Sequence, residues 1–390
     1  MGSLKLFLGI LFIFVVGCAD NPPPKSEPIE DPKRKIHEEA KLQALAKHDQ
    51  AFLIKEGWIR DPYIYLAPDG FYYLTGTTPA YGDPREQTEL YNTGLDKQNQ
   101  ELYGTPSIVG PDINVWRSTN LLDWEYVGAP FSLDKGYWAS EFVAEFQPPR
   151  KDWRLWAPEL YAYEGRWIFV HTSPAPVKGG ANLAITVGEE LQGPFSFPMK
   201  TDIRNKHDPS LFKEGHTWYL LWGNTYIAAL LPGFEGIQGE PKRIDPANRK
   251  IGHEGATLRK IGDKYVHFGT AWSTDKMRKG SYNLYYCLSD SIMGPYGPRR
   301  FVGRFLGHGT PFQDKEGRWW CTAFYNGNIP PLSKEGIREK DLGETAQTIN
   351  GQGTTLVPLE VRIEEDGDVY IRAKDPNYAF PGPDEAQVFE

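Results

Sequence analysis

Five stretches of this chain share one layout, and their spacing restricts what the chain can fold into. "RDPYIYLAPDGFYYLTGT" begins at Arg60, "WAPELYAYEGRWIFVHTS" at Trp156, "HDPSLFKEGHTWYLLWGN" at His207, "HEGATLRKIGDKYVHFGT" at His253 and "HGTPFQDKEGRWWCTAFY" at His308. Each is a short apolar run, a turn at Asp-Gly, Glu-Gly or Gly-Asp, and a second run rich in aromatics, which is the pattern of a tight β-hairpin. Alignment places Asp61, Ala157, Asp208, Glu254 and Gly309 in one slot, separated by 96, 51, 46 and 55 residues. A repeat of about 50 residues with several strands in each predicts a β-propeller. Five copies predict five blades. Between them, "INVWRSTNLLDWEYVG" (113–128), "ANLAITVGEELQGPF" (181–195) and "YNLYYCLSDSIMGPY" (282–296) read as outer strands. The C-terminal "TTLVPLEVRIEEDGDVYIRA" offers one more hairpin that could close the ring.

Composition agrees with an all-β fold. The 390 residues include 12 Trp, 21 Tyr and 20 Phe beside 40 Gly and 32 Pro, which favours short strands and tight turns over long helices. Nothing in the length forces a second domain, so residues 57–375 read as one propeller. Two polar inserts, 79–112 and 130–152, lack strand alternation, and loops of that size on a compact scaffold carry function or disorder. Residues 34–56 space Ile36, Leu42, Leu45, Ala46, Phe52 and Leu53 among Lys, Glu and Gln as an amphipathic helix does. Residues 376–390 read as a C-terminal tail.

The N-terminus has its own signal. Residues 6–16, "LFLGILFIFVV", follow Lys5 and form an apolar run too short for a permanent span, as in a secretory signal peptide. The run ends at "VVGCAD", which resembles a bacterial lipobox and makes Cys18 the expected lipidated first residue after a signal peptide of residues 1–17. Residues 18–33 are Pro-rich and charged and read as an extended tether. The expected location is the bacterial cell envelope, with membrane contact through the lipid alone. Cys287 and Cys321 sit mid-strand among aromatics and read as buried free thiols; a disulfide would require their strands to be adjacent. A net charge of −8 argues against a nucleic-acid partner.

In a propeller the innermost strands line the axis, so residues at equivalent starts converge on one mouth. Asp61, Asp208 and Glu254 are therefore expected to face one another, with Trp156, His207, His253 and His308 at the edge of the same pocket. Asp-Pro is common in turns, but turn chemistry does not explain three carboxylates in one repeat slot. Clustered carboxylates push their pKa values apart, so one group stays protonated as an acid while another stays ionised as a base. Glycoside hydrolysis needs that pair, spaced about 6.5 to 9.5 Å for inversion or about 5 to 5.5 Å for retention. Sugars also present apolar faces to aromatic rings, for which Trp156, Trp222 and Trp272 are candidates.

The five motifs, in this order, resemble the five-bladed propeller glycoside hydrolases of family 43 and their clan relatives over roughly residues 58–375. The resemblance implies an inverting enzyme with Asp61 as general base, Glu254 as general acid, and Asp208 tuning that acid and holding substrate. It also places His308 near the axis, where a structural Ca2+ or other ion or a water could bind, and it implies no required cofactor. Arabinofuranosides and xylosides from plant or algal polysaccharides are the leading substrates. Two His-acid pairs, "HDP" and "HEG", leave the acid open. A histidine could share that role, as in the clan member acting on anhydro-galactose of agar, with His253 second to Glu254; both histidines could equally be hydrogen-bonded structural residues. Other possibilities are a phosphorylase on the same scaffold, a retaining transfructosidase-like enzyme, whose Asn-Asp-Pro and Glu-Cys signatures are missing, and a non-catalytic carbohydrate-binding lipoprotein. A sialidase would show Asp-box turns, and none are found.

Overall fold

The computed structural model describes residues 32–84, 108–136, 153–175, 181–199, 203, 207–324, 339–344, 346–347 and 353–389. The expected signal peptide, the expected lipidation site Cys18 and most of the expected tether fall outside these residues, as do the greater parts of the two inserts. Internal packing divides the chain between residues 39 and 40, and the larger unit, Ala40–Glu390, holds every strand among the described residues.

Each repeated motif forms the two inner strands of one antiparallel sheet, and the five sheets are the five blades of the propeller. Blade 1 runs outward through Arg60–Leu66, Tyr72–Thr77, Asp112–Ser118 and Glu125–Ser132. Blade 2 runs through Arg154–Tyr163, Arg166–Ala175, Ala181–Thr186 and Phe195–Ser196. Blade 3 comprises Ser210–Glu214, Thr217–Trp222, Tyr226–Leu230 and Ile237–Arg243. Blade 4 comprises Glu254–Ile261, Lys264–Trp272, Gly280–Ser289 and Arg300–Gly303. The inner hairpins turn where the motif predicts. In blade 2 both turn residues, Glu164 and Gly165, adopt positive φ (49° and 74°), the geometry whose twist matches the flanking strands.

Blade 5 is assembled from both ends of the chain. Its strands run outward as Pro311–Gln313, Trp319–Ala323, Thr354–Ile363 and finally Phe52–Lys55, which pairs antiparallel with Thr354–Leu356. The helix expected through residue 56 therefore stops early. It spans Pro32–Lys47, and His48 leaves the helical region at φ 52°. Phe52 and Ile54 then pack with Trp320 and Leu356, and the strand gains ladder hydrogen bonds that a continued helix could not make. The C-terminal hairpin contributes its first strand to blade 5, while Val369–Ala373 pairs alongside. The N-terminal strand occupies the outer edge that this hairpin was expected to close.

The core lies between blades. One buried apolar cluster fills each of the five interfaces: Ile113, Phe131, Leu160 and Phe169 between blades 1 and 2; Ile168, Val170, Leu211 and Leu220 between blades 2 and 3; Leu221, Ile227, Leu258 and Cys287 between 3 and 4; Phe268, Leu284, Cys321 and Val357 between 4 and 5; and Phe52, Ile64, Leu74 and Leu356 between 5 and 1. Cys287 and Cys321 sit in different interfaces and are both free and buried, as their aromatic surroundings suggested.

Residues 376–389 are docked onto blade 4. Asp384 accepts hydrogen bonds from the Ser281 amide (2.9 Å) and hydroxyl (2.7 Å), from the Ser273 hydroxyl, and from the fully buried guanidinium of Arg304. Glu385 accepts from the Tyr285 hydroxyl at 2.7 Å. Removing Asp384 takes a buried carboxylate away from a buried guanidinium, and breaking a buried pair from one side costs about 3–5 kcal/mol. Asp384→Ala is expected to lose that much stability in urea unfolding, and a change below about 1 kcal/mol would show that the tail is not integral to the fold.

Candidate active site

The repeat slot is built from strained backbone. Asp61, Ala157 and Asp208 adopt φ of 50°, 43° and 51°, and His253, Gly255 and His308 adopt 63°, 57° and 53°. A non-glycine residue in this region costs about 1–2 kcal/mol and persists where its surroundings over-determine it. Register slips at Arg60/Tyr63, Trp156/Glu159 and Glu254/Thr257 place bulges at the same points, and bulges re-aim side chains. Threonines then hold the slot from the neighbouring blade. Thr77, Thr172 and Thr270 occupy one position on the second strands of blades 1, 2 and 4. Their hydroxyls accept from the backbone amides of Ala157 (2.7 Å), Asp208 (2.8 Å) and His308 (2.8 Å) on the next blade. In blade 3 the matching residue is Gly223, whose amide donates to the His207 carbonyl at 2.6 Å.

These constraints bring Asp61, Asp208, Glu254, His207 and His308 together. Asp61 is buried; it accepts from the Thr77 hydroxyl at 2.7 Å and pairs with His308 Nδ1 at 3.1 Å and Arg60 at 3.9 Å. Burial alone would raise its pKa, but the two cations outweigh it and hold the carboxyl well below the usual range. Glu254 accepts from the Tyr282 hydroxyl at 2.5 Å through Oε1, and its Oε2 lies 3.5 Å from His207 Nε2. Burial again opposes ionisation, and the His207 and Tyr282 contacts overcome it, bringing the pKa down to about 2. Asp208 lies 3.7 Å from the same His207 nitrogen and accepts from the Gly255 amide at 3.3 Å.

Both imidazoles are held protonated. Asp208 raises His207 to about 9 against the effect of burial, with Glu254 adding to it. Burial lowers His308, but Asp61, Asp208 and Glu254 together bring it up to about 9. The mouth therefore sets three carboxylates against two imidazolium rings. Gly255 is required here on two counts. Its φ is 57°, and a Cβ would lie 2.5 Å from Cδ2 of the His308 ring.

The other residues singled out from the sequence are held by packing. His253 is fully buried inside blade 4, its ring against the backbone of Gly269, its Nε2 3.9 Å from the Cys287 thiol and its centroid 4.4 Å from that of His267. Burial drives its pKa well below the ordinary imidazole value. Burial between His267 and Cys287, with the pKa lowered, does not favour the alternative acid role of His253. Trp156 packs with Trp58, Ile108 and Val109. Trp222 is buried in the interface of blades 2 and 3, leaving little of its face for a sugar. Trp272 is also buried and lies 4.8 Å from Tyr282, so it backs the residue that holds Glu254.

The structure adds residues that the sequence reading missed. Glu159 lies on the inner strand of blade 2, half-buried, where it accepts from the Tyr161 hydroxyl, and desolvation pushes it up to about 7. A lone Glu in the apolar strand "WAPELYAY" was the available signal. Tyr282 comes from a third strand, where nothing in the repeat marks it.

Two groups among the described residues bring three ligand-type atoms within 4.8 Å: His207, Asp208 and Glu254 at the mouth, and His253, His267 and Cys287 within blade 4. In the first, His207 stands between Asp208 and Glu254 as their ion-pair partner. In the second, burial raises the thiol pKa and Arg249 and Arg299 add positive potential, both of which oppose a cation.

Comparison with known proteins fits this geometry. The family described as glycosyl hydrolases family 43 matches residues 53–345. An extracellular exo-alpha-(1->5)-L-arabinofuranosidase, ArbA of Cellvibrio japonicus (strain Ueda107), is 20% identical over 275 residues, covering 58% of this chain and 76% of that one. Among solved structures, an exo-1,5-alpha-L-arabinanase from a bovine ruminal metagenomic library superposes with a TM-score of 0.52 at 17% identity, covering 82% of this chain and 98% of the other. A xylan beta-1,4-xylosidase from Bacillus halodurans C-125 superposes with a TM-score of 0.53 at 17% identity over 85% of this chain and 57% of its own.

The threonine contacts can be tested directly. Thr77→Val keeps the shape but strands the Ala157 amide and one Asp61 oxygen, and an unsatisfied buried polar group costs about 1–3 kcal/mol. Urea unfolding should show that loss. An unchanged midpoint would mean that water satisfies both groups and that Thr77 does not hold the slot.

Proposed function

Because the chain belongs to family 43 of the glycosyl hydrolases and is a glycosidase, we propose that it releases arabinofuranosyl or xylosyl units from plant or algal polysaccharide fragments by an inverting mechanism. The observation that carries this reading is the convergence of Asp61, Asp208 and Glu254 at one mouth, each from a different blade and each with a cationic partner. Asp61 acts as the base. It stays ionised across the working pH range, and its second oxygen is fixed by Thr77, so it can orient a water and take its proton as the C–O bond forms. Glu254 stands on the leaving-group side. It delivers a proton to the glycosidic oxygen as the bond to the sugar breaks. Asp208 holds the charge balance around Glu254 through His207 and the Gly255 amide.

The sugar choice rests on the names of the similar enzymes, which are arabinan- and xylan-directed. Export is supported by the extracellular relative and by the apolar run ahead of Cys18, and we place the mature protein in the cell envelope, anchored through that cysteine. We assign no ion to His308, because its ring is ion-paired with Asp61 and protonated. Membership of a hydrolase family, with all three acids in place, favours hydrolysis over a purely carbohydrate-binding role and over the anhydro-galactosidase and phosphorylase alternatives.

The test is sugar release from arabino- and xylo-oligosaccharides by the mature protein, Glu254→Gln and Asp61→Asn, with and without phosphate, the anomer of the product being read by proton NMR. Loss of general acid or base catalysis is worth about 10²- to 10⁴-fold, so both variants should fall by at least about 100-fold while remaining folded. The first-formed sugar should carry the inverted anomeric configuration, and phosphate should have no effect. Retained configuration, phosphate dependence or an active Asp61→Asn would each overturn the mechanism.

A further inference from the structure

A proton donor must hold a proton before substrate arrives, and Glu254 in the resting site does not. The His207 and Tyr282 contacts hold its carboxyl below the ordinary glutamate range, which favours the ionised form at neutral pH. The proton is nevertheless at hand. His207 Nε2 is 3.5 Å from Glu254 Oε2, and the His207 side chain is 44% exposed, so it opens onto the mouth. We propose that the acid of this enzyme is a pair, in which His207 stores the proton and Glu254 passes it to the leaving oxygen. This rests on the hydrolase reading above and deepens its acid step.

The groups around His207 set up such storage. Asp208 from its own loop approaches to 3.7 Å and Glu254 from blade 4 to 3.5 Å. Opposing them is the positive charge of His308 from blade 5, which is itself drawn towards Asp61 of blade 1. Tyr282 occupies the other Glu254 oxygen at 2.5 Å, leaving Oε2 as the one that faces the imidazole. In turnover, Nε2 loses its proton to Oε2 and Oε2 gives it to the glycosidic oxygen as the C–O bond to the sugar breaks. Water held by Asp61 forms the new C–O bond, and its proton goes to Asp61. Solvent then reprotonates His207 and removes the proton from Asp61, so the sum is glycoside plus water giving two hydroxyl compounds. His207 acts through Glu254 and is a positioning residue that keeps the acid loaded.

The arrangement separates this pair from Glu254 acting alone through the pH dependence of kcat/KM. When His207 holds the proton, activity persists until that imidazolium titrates, so the basic limb lies near 9. In His207→Gln the cation is gone, burial of Glu254 acts unopposed by it, and the carboxyl becomes its own acid with a raised pKa. The basic limb should move down by at least 2 pH units, to about 7 or below, so that activity is kept at pH 5 and falls at least about 10-fold at pH 8. Ring-nitrogen NMR on the same proteins gives a second reading that needs no substrate: His207 should titrate near 9 in the wild type and fall by at least 1 unit in Glu254→Gln. A uniform loss of rate with an unmoved limb, or a His207 that titrates at the ordinary imidazole value, overturns the proposal. If Glu254→Gln remains fully active on oligosaccharides, the hydrolase assignment of Glu254 fails instead. If Glu254→Gln is inactive while the limb of His207→Gln stays in place, the assignment of Glu254 stands and the storage role fails.

Discussion

Closure of the ring is the constraint on which the rest depends. Each blade is a twisted sheet whose two faces are apolar, and neither face is covered until a neighbour is present on both sides. Five interfaces therefore need five blades and no gap. The fifth interface, between blades 5 and 1, is completed by Phe52 and Ile54 packing against Trp320, Leu356 and Ile64. Pairing of Phe52–Lys55 with Thr354–Leu356 brings an N-terminal and a C-terminal strand into one sheet. The mouth inherits this constraint, because its residues come from blades 1, 3, 4 and 5, which lie far apart in sequence.

Closure fixes where the blades sit; the threonine contacts fix how the slot residues point. A left-handed backbone at Asp61, Ala157, Asp208 and His308 is unfavourable in isolation, and it is held by hydrogen bonds from the adjoining blade at Ala157, Asp208 and His308. The strain of one blade is thus supported by its neighbour, and a shift in any interface is felt at the axis. Electrostatics then oppose the geometry. Three carboxylates on one axis repel, and the two imidazoles relieve that repulsion by taking up protons near pH 9. The histidines are part of what lets the acids coexist.

The fold was legible because its signal is redundant. Five hairpins with the same turn chemistry give the blade count, and the shared slot gives the convergence of Asp61, Asp208 and Glu254 without any side-chain detail. The strand at Phe52–Lys55 was not legible, because Phe52 and Leu53 continue the apolar spacing of the preceding helix and only a partner strand some 300 residues away decides between the two. Glu159 and Tyr282 were missed for different reasons: the first lies inside an apolar strand below the slot, and the second reaches the mouth from a strand that the repeat does not align. The tail reads as a polar C-terminus, yet Asp384 and Glu385 find buried partners on blade 4 that no local pattern encodes.

The two His-acid pairs show where local sequence stops being informative. "HDP" and "HEG" read alike, and both histidines immediately precede a slot acid. Their fates differ through residues on other strands. In blade 4 the neighbouring strand has Gly269, whose missing side chain leaves room for the His253 ring between His267 and Cys287. Burial then discharges it. In blade 3 His207 stays half-exposed at the mouth, and two carboxylates from blades 3 and 4 compete for its proton. One histidine is thereby a neutral part of the blade interior and the other a charged part of the site. Catalytic chemistry in this repeat is therefore decided less by which residue fills the slot than by which neighbour keeps it charged.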